Sequence, residues 1–303
     1  MPTKRIIRRT YKHEILNSVL SEHPHELLYH YTDQKGLVGI VKSREIWATH
    51  HQCLNDTQEF LHAKGLIRGE IKTLWTTNSD SRSLLDEMLS ALDGPGNEDV
   101  NLYISSFSED GNSLSQWRAY GGQTSGFALG FWGDRLVLPE EFTMARCIYE
   151  PSEQCKIAEA IVAEVLERAL SQVPTVTLSN AKTTASVGMR FDLHRFALIF
   201  KHPEFREERE WRIVSRVLMD FAPAVPTGEL EDKLDFRQGK SMLIPYRRVP
   251  LRDDKGGFPL HEVIVGPNPN REQSARSVQS LLNSQRHCTA AKVRNSEIPY
   301  RNW

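Results

Sequence analysis

Short runs of alternating apolar and polar residues, separated by longer helical patterns, limit most strongly how this chain can fold. Apolar and polar side chains tend to alternate over residues 100–105, 127–131 and 210–217. A period of two predicts strands with one buried face. Patterns of period 3.6 lie between such runs, as over residues 152–172, and predict amphipathic helices. With no internal repeat, the chain is predicted to form one α+β domain with a mixed or antiparallel central sheet and helices outside it.

Composition and charge narrow the range of partners. The 303 residues are 39% hydrophobic and 25% charged, with 38 Lys and Arg against 39 Asp and Glu. This balance gives no whole-molecule attraction to nucleic acid or anionic lipid. No apolar stretch predicts a signal peptide or a membrane span, so we expect a cytoplasmic protein without a membrane partner. A basic helical segment is predicted over residues 1–26, followed by the α+β domain over residues 27–303.

The four cysteines occupy positions 53, 147, 155 and 288, and none belongs to a C-x-x-C pair. This spacing argues against a structural zinc site and does not imply disulfides. The thiols are interpreted as small apolar fillers.

Polar side chains interrupt the apolar pattern at the end of the first predicted strand. His30, Tyr31 and Thr32 follow two leucines, and Asp33 stands where a helix is predicted to start. A later strand also ends in hydroxyls, at Ser106 and Ser108. Polar groups in such positions predict a binding or catalytic site.

Two further segments carry candidate site residues. The short helical run after residue 113 contains Trp117, Arg118 and Tyr120. In the strand that begins near residue 210, strand parity puts Glu210 and Arg212 on a polar face, while Trp211 and Ile213 point to the core.

The order of these motifs resembles a known family. The succession LYHYT, EIWATH, LNDTQE, SFS, LSQWRAYGG, GFALGF, EEREWRIV, EVIVGP and SEIPYR, from about Leu27 to Arg301, is similar to the largely bacterial domain-of-unknown-function family 2971 (DUF2971). The family name implies no reaction.

A second resemblance is to the ADP-ribosyltransferase superfamily. It rests on a first strand with a histidine, a middle strand that ends in hydroxyls and aromatics, and a late strand with a glutamate. It implies a split central sheet that grips NAD in a bent form. His30 would hydrogen-bond the adenosine ribose, and Tyr31 or Tyr120 would stack on nicotinamide. Ser106 and Ser108 would brace the nicotinamide ribose.

The same resemblance implies a catalytic role for Glu210. Its carboxylate would hold the ribose 2′-hydroxyl and stabilise the oxocarbenium-like transition state as nicotinamide leaves. Thr32, Trp117 and Arg212 join the predicted NAD-binding set, as does Arg118, which would neutralise a pyrophosphate. The sequence departs from the superfamily pattern, since the middle motif is Ser-Phe-Ser rather than Ser-Thr-Ser, and Glu207 and Glu208 compete with Glu210 for the catalytic place.

Each of these residues also has a structural interpretation. His30 can be a core histidine, Tyr31 can cap a core edge, and Glu210 and Arg212 can form an ion-pair network. Trp117 and Arg118 can form a stacked surface pair. Asn55, Asp56 and Glu59 are most economically a helix N-terminus.

Three functions therefore remain open. The first is an NAD-binding enzyme that transfers ADP-ribose to a macromolecule, either nucleic acid or protein, or to water, as a toxin or anti-phage effector. The second is a metal-dependent nuclease or phosphodiesterase that uses His30, His50, His51, Asp56 and Glu59, although these residues lack a recognised metal-binding spacing. The third is a non-catalytic module that senses a nucleotide or binds another chain.

Overall fold

The computed structural model confirms the mixed α/β composition and describes most of the chain. It covers residues 15–20, 22–24, 26–54, 57–77, 81–94, 101–120, 126–172, 177–215 and 234–299. The strands in this part of the chain are β1 (Leu27–Thr32), β2 (Glu45–His50), β3 (Tyr103–Ser108), β4 (Phe127–Trp132), β5 (Phe142–Arg146), β6 (Glu210–Ser215), β7 (Leu234–Gln238), β8 (Leu243–Pro250), β9 (Leu260–Val265) and β10 (Lys292–Asn295).

Seven α-helices with described bounds flank these strands. They are α1 (Gln34–Ser43), α2 (Thr57–Thr77), α3 (Arg82–Asp93), α4 (Leu114–Tyr120), α5 (Pro151–Gln172), α6 (Leu178–Ala197) and α7 (Arg271–Asn283). Residues 15–20 are also helical, and Leu16 and Val19 are buried against the helical layer.

The sheet is mixed and branched. Its main path runs β10-β9-β4-β1-β3-β2-β8-β7, and β6 pairs with both β3 and β5. β10 and β9 are parallel, and the other described pairs are antiparallel. β6 pairs with β3 from Ile104 to Ser108. The other edge of β3 is shared: β1 pairs at Ser108, and β2 pairs at Tyr103 and Ile104. The strands β1 and β2 therefore diverge along the middle of β3.

Two hydrophobic layers cover the two faces of the sheet. The front face carries Leu28, Phe107 and Trp211 and packs against α1 and α7. The back face carries Tyr29, Ser108 and Glu210, which the strand register aligns with one another. At β5 and β6 the back face is covered by a helical layer of α2, α3, α5 and α6, whose core includes Ala145 of β5. The sheet and this layer form one continuous body.

Local sequence signals explain α1. Asp33 caps the helix, because its side chain accepts a hydrogen bond from the Gly36 N–H at 2.8 Å. Leu37, Ile40 and Val41 repeat at three to four residues and are buried in the front layer. The helix start predicted at Asp33 is confirmed.

The polar and aperiodic sequence of residues 175–190 predicts a loop or a connector, and this prediction is wrong for residues 178–190. Residues 178–197 form α6, which packs against α3 and α5. Its buried face in the mispredicted part is made of small residues such as Ala181, Ala185 and Gly188. Small side chains let helices approach closely but carry little hydrophobic signal, so the helical period is weak in the sequence. The sequence also suggests an excursion from the domain over residues 218–236, and this segment lies almost entirely outside the described residues.

Asp192 on α6 is a buried carboxylate whose effect on the stability of the helical layer can be measured. It is buried, its Oδ2 accepts no hydrogen bond within the described part of the chain, and Arg168 lies 3.8 Å away. Burial raises the pKa of Asp192 to about 6, and Arg168 offsets this only in part. Because the folded-state pKa lies above the usual 3.8, the ionised side chain destabilises the fold as the pH rises from about 4 through 6.

We therefore expect Asp192→Asn to raise the free energy of unfolding by about 2 kcal/mol at pH 7.5, with little gain at pH 4. Urea denaturation at the two pH values measures both effects. A loss of stability of equal size at both would show that the carboxylate makes a favourable contact in the folded protein.

Candidate functional site

The three strands that carry the predicted site motifs are direct neighbours. β3, with Ser106 and Ser108, lies between β1, with His30, and β6, which begins at Glu210. Ser108 is directly opposite Glu210, and Ser106 is opposite Arg212. Segments far apart in the sequence thus meet in the centre of the sheet.

The strand register divides these residues between the two faces. Ser106, Ser108, Glu210 and Arg212 share the back face, as residues opposite each other on paired strands do. His30 is opposite Leu129 of β4, whose side chain belongs to the front layer, so the imidazole lies on the front side of the sheet. The structure therefore brings four of the predicted residues together and separates His30 from them.

His30 occupies the gap where β1 and β2 diverge. Its Nδ1 lies 2.9 Å from the backbone carbonyl of Ser106, to which it donates when that nitrogen carries the proton. The ring also contacts Phe107, with 5.6 Å between ring centroids. Burial lowers the pKa of His30, which favours the neutral imidazole at pH 7. The contact replaces a strand-to-strand hydrogen bond and positions β1 against β3.

Tyr31 and Trp117 are packed together rather than exposed. The Tyr31 hydroxyl donates to the Asp110 carbonyl at 2.6 Å and accepts from the Ser113 N–H at 3.0 Å. Its ring meets the edge of Trp117 at 4.7 Å, and the indole N–H donates to Asn112 Oδ1 at 3.1 Å. These contacts order the turn that follows β3.

The remaining predicted residues lie around this turn or near α1. Tyr120, at the end of α4, is 50% exposed, and Arg118 is also exposed. Thr32 ends β1 and lies against the first turn of α1. The two segments are so close that a Cβ atom added to Gly36 would lie 1.8 Å from Thr32 Oγ1. Ser108 is buried, and its hydroxyl donates to the Glu208 carbonyl at 2.7 Å. Tyr120 is therefore the most exposed of the predicted aromatic residues.

Glu210 lies in a group of five charged residues, of which Lys201, Glu210 and Arg212 are buried and the other two are partly exposed. Arg212 donates to its carboxylate twice, from Nε to Oε1 at 2.8 Å and from Nη2 to Oε2 at 3.1 Å. Lys201 Nζ donates to Oε2 and also to Glu208. Glu59 of α2 completes the group through Arg212 Nη1 at 2.8 Å. We call these five residues the ion cluster.

The ion cluster sets the charge state of its members. Burial alone would raise the pKa of Glu210, but the cations of Arg212 and Lys201 lower it to about 2. Burial also disfavours the charged form of Lys201 and would lower its pKa, but the Glu210 carboxylate outweighs this and raises the Lys201 pKa. Arg212 is only 2% exposed at its side chain, and it also donates to the Leu198 carbonyl at 2.6 Å. Glu210 is therefore ionised and fixed in orientation at neutral pH.

The sequence did not predict that Lys201 and Glu59 lie beside Glu210. Lys201 was not singled out, although a lysine directly after the apolar run Leu198 to Phe200 is an unusual neighbour for a core segment. Glu59 was interpreted as part of a helix N-terminus, but its carboxylate contacts Arg212 across 153 positions of the chain. Asn55 and Asp56 lie outside the described residues.

A cavity of about 260 Å³ opens beside the start of β6. Tyr149 links it to Glu210, because its hydroxyl accepts the Glu210 backbone N–H at 2.9 Å. The Cys147 N–H donates to the Glu210 carbonyl at 2.9 Å. The cavity is lined by Glu109, Arg146, Cys147, Ile148, Tyr149, Glu150, Glu153, Arg206 and Arg209.

The histidines proposed for a metal site are placed differently. His50 ends β2 and His51 begins the next turn, with 4.9 Å between their ring centroids, and Glu59 is engaged by Arg212. Across the described ranges, no group of three or more His, Cys, Asp or Glu side chains has an arrangement that could hold a metal ion. All four cysteines are free thiols, and Cys147 and Cys288 are buried.

Comparison with known proteins confirms the family resemblance over part of the chain. Residues 116–213, which run from α4 into β6, match a family model described as "Protein of unknown function (DUF2971)". This match includes the ion-cluster residues Lys201, Glu208, Glu210 and Arg212. No curated protein and no solved structure matches the chain. None of the helices in the described ranges combines the length and apolar character needed to cross a bilayer.

Proposed function

We propose that this protein is an ADP-ribosyltransferase-like enzyme that binds NAD and transfers ADP-ribose to a macromolecular acceptor or to water. The observation that supports the proposal most is the adjacency of β1, β3 and β6, with β1 and β2 diverging from one edge of β3. A histidine strand, a hydroxyl strand and a glutamate strand in contact are what the superfamily resemblance implies. A toxin or anti-phage effector is the biological setting that fits such a transfer.

In this proposal Glu210 stabilises the positive charge that develops on the ribose as nicotinamide leaves. The carboxylate is ionised at neutral pH, and the ion cluster holds it in one orientation, which is the condition for preorganised electrostatic stabilisation. Three N–H groups of Arg212 and Lys201 donate to it, and a carboxylate can accept about four hydrogen bonds. Because Glu210 is only 5% exposed, the residues that cover it must move before a ribose hydroxyl reaches its carboxylate.

His30 acquires a different role from the one first expected. Its contact with the Ser106 carbonyl fixes the spacing of β1 and β3, so it acts in the proposal as a positioning residue. Tyr120, at the exposed end of α4, is the aromatic side chain offered to the nicotinamide or adenine ring.

A non-catalytic nucleotide-binding module is the second candidate function. The observation in its favour is that two buried cations already neutralise Glu210, which reduces the negative potential that a developing cation would meet. In such a module the ion cluster would hold β6 and the helical layer together, and a nucleotide would bind outside it.

Glu210→Gln separates these two functions. We expect purified wild-type protein to release nicotinamide from NAD, and Glu210→Gln to lower this rate by at least about 100-fold, because the amide carries no charge to stabilise the transition state. Nicotinamide release, followed by chromatography, is the measurement. Glu207→Gln is the matched control, because Glu207 is an exposed glutamate in the same Glu-Glu-Arg-Glu run.

Binding and folding are measured on the same variants. Retention of NAD binding by a folded Glu210→Gln protein supports a catalytic role for the carboxylate. NAD binding without nicotinamide release by the wild-type protein would favour the non-catalytic module, and the absence of both would overturn the proposal.

A further inference from the structure

The cavity beside the start of β6 has features of an anion site. We propose that it binds the phosphate groups of a nucleotide or of a related organic phosphate. Three guanidinium groups, from Arg146, Arg206 and Arg209, line this one cavity. Guanidinium groups bind phosphate oxygens through pairs of parallel hydrogen bonds, which makes arginine well suited to this ligand.

The N-terminus of α5 adds a second attraction for an anion. This helix of 22 residues begins at Pro151. Glu150, which precedes it, and Glu153 in its first turn line the cavity, and the N–H groups of Glu153 and Gln154 donate to the Glu150 carbonyl. The dipole of this long helix gives its N-terminus a partial positive charge. Helix and arginines thus act on the same space.

Carboxylates in and around the cavity account for its present neutrality, because each of the three arginines is paired with one. Arg206 Nη2 lies 3.1 Å from Glu150 Oε2, with both side chains more than half exposed. Arg209 Nη2 lies 3.5 Å from Asp110 Oδ2, and Arg146 Nε lies 3.1 Å from Glu22 Oε2, again between exposed side chains. Exposed pairs of this kind contribute little free energy and exchange readily with another anion. Glu109 is engaged elsewhere, since its Oε1 accepts the Trp211 indole N–H at 2.9 Å. A phosphate can therefore displace Glu22, Glu150 and Asp110 from these arginines at small cost.

The backbone of Arg209 also points to this site. Arg209 has φ 41° and ψ 54°, a left-handed conformation that costs energy for a residue with a Cβ. Glycine adopts it without that cost. Arg209 caps the short helical turn over residues 203–208, where its N–H donates to the Arg206 carbonyl, and this conformation directs the chain so that the side chain lies at the cavity. We infer that the side chain has a use at the cavity, because glycine would make the same cap without the cost.

The cavity is connected to Glu210 through Tyr149, which lines it and accepts the Glu210 backbone N–H. A diphosphate held here would lie close to the first residue of β6. The identification of that diphosphate with the one in NAD rests on the proposed function, whereas the phosphate site itself does not.

The test measures binding of inorganic pyrophosphate and ADP by calorimetry, with adenosine as the uncharged control. We expect both phosphates to bind and adenosine to bind at least about tenfold more weakly. Arg146→Gln and Arg209→Gly should each weaken ADP binding by about tenfold or more. Arg248→Gln is the control, because Arg248 is an exposed arginine on β8 that pairs with Asp235 rather than with the cavity.

Two variants exclude a loss of fold as the cause. Arg209→Gly relieves the backbone strain, so its thermal midpoint should not fall while its ADP affinity does. Glu150→Gln removes the competing carboxylate and should tighten ADP binding by about threefold.

No binding of either phosphate, equal binding of adenosine, or equal losses in Arg209→Gly and Arg248→Gln would each overturn the inference. Neither probe can donate ADP-ribose, so pyrophosphate binding without nicotinamide release from NAD would support this site while contradicting the proposed reaction.

Discussion

Replacing Arg212 by alanine is expected to lower the free energy of unfolding by about 3–5 kcal/mol. Arg212 contacts Glu210 and Glu59 inside the protein, with a side chain that is 2% exposed. Its removal leaves Lys201 as the one cation of the ion cluster, facing the carboxylates of Glu210, Glu59 and Glu208. Water is largely excluded from this region. A buried charge that loses its partner costs far more free energy than an intact pair contributes.

Arg248→Ala provides the control for this prediction. Arg248 pairs with Asp235 at 2.6 Å, but its side chain is 54% exposed. Solvent screens such a pair, and the expected loss is below about 1 kcal/mol. Urea denaturation of both variants at pH 7 gives the comparison. A loss for Arg212→Ala no larger than that for Arg248→Ala would contradict the view that the ion cluster is buried and mutually dependent.

The ion cluster is also expected to make the protein sensitive to acid through Glu210. The folded-state pKa of about 2 lies below the usual 4.5. A carboxyl group with a lowered pKa contributes stability that is complete above pH 4.5 and is lost as the pH falls toward 2. The difference corresponds to about 3 kcal/mol in all, of which about 1 kcal/mol is lost at pH 3.5.

Comparison with Glu210→Gln isolates this contribution from the other carboxyl groups. We expect the stability difference between wild type and Glu210→Gln to be constant from pH 7 to about 5.5 and to shrink by about 1 kcal/mol at pH 3.5. Urea midpoints at these pH values, converted with a common slope, provide the measurement. A difference that does not change with pH would show that the carboxyl group has an ordinary pKa in the folded protein.

Several features of the fold followed from local residue patterns. Strand parity predicted Glu210 and Arg212 on one face and Trp211 and Ile213 on the other, and the register confirms it. The cap at Asp33 was predicted from a single residue type in the right place. These predictions succeeded because they depend on backbone geometry within one element, where a repeat of two or of 3.6 residues is written directly into the sequence.

Predictions that depended on the partners of an element were weaker. The small residues on the buried face of α6 gave no hydrophobic period, so the helix was interpreted as a loop. The superfamily resemblance placed His30 and Glu210 around one bound NAD. The pairing of β1 with β4 and of β3 with β6 instead puts their side chains on opposite faces of the sheet. A change of one residue in either register would reverse the outcome, and no local pattern specifies that register.

The sequence by itself determined that this chain forms an α+β sheet protein, where its polar strand face lies, and which family its motifs resemble. Only the tertiary structure decided that Lys201 and Glu59 join Glu210 and Arg212, and that three arginines line one cavity. The physical reason is that charge pairing acts through space: Glu59 and Arg212 are separated by 153 positions in the chain and by 2.8 Å in the fold.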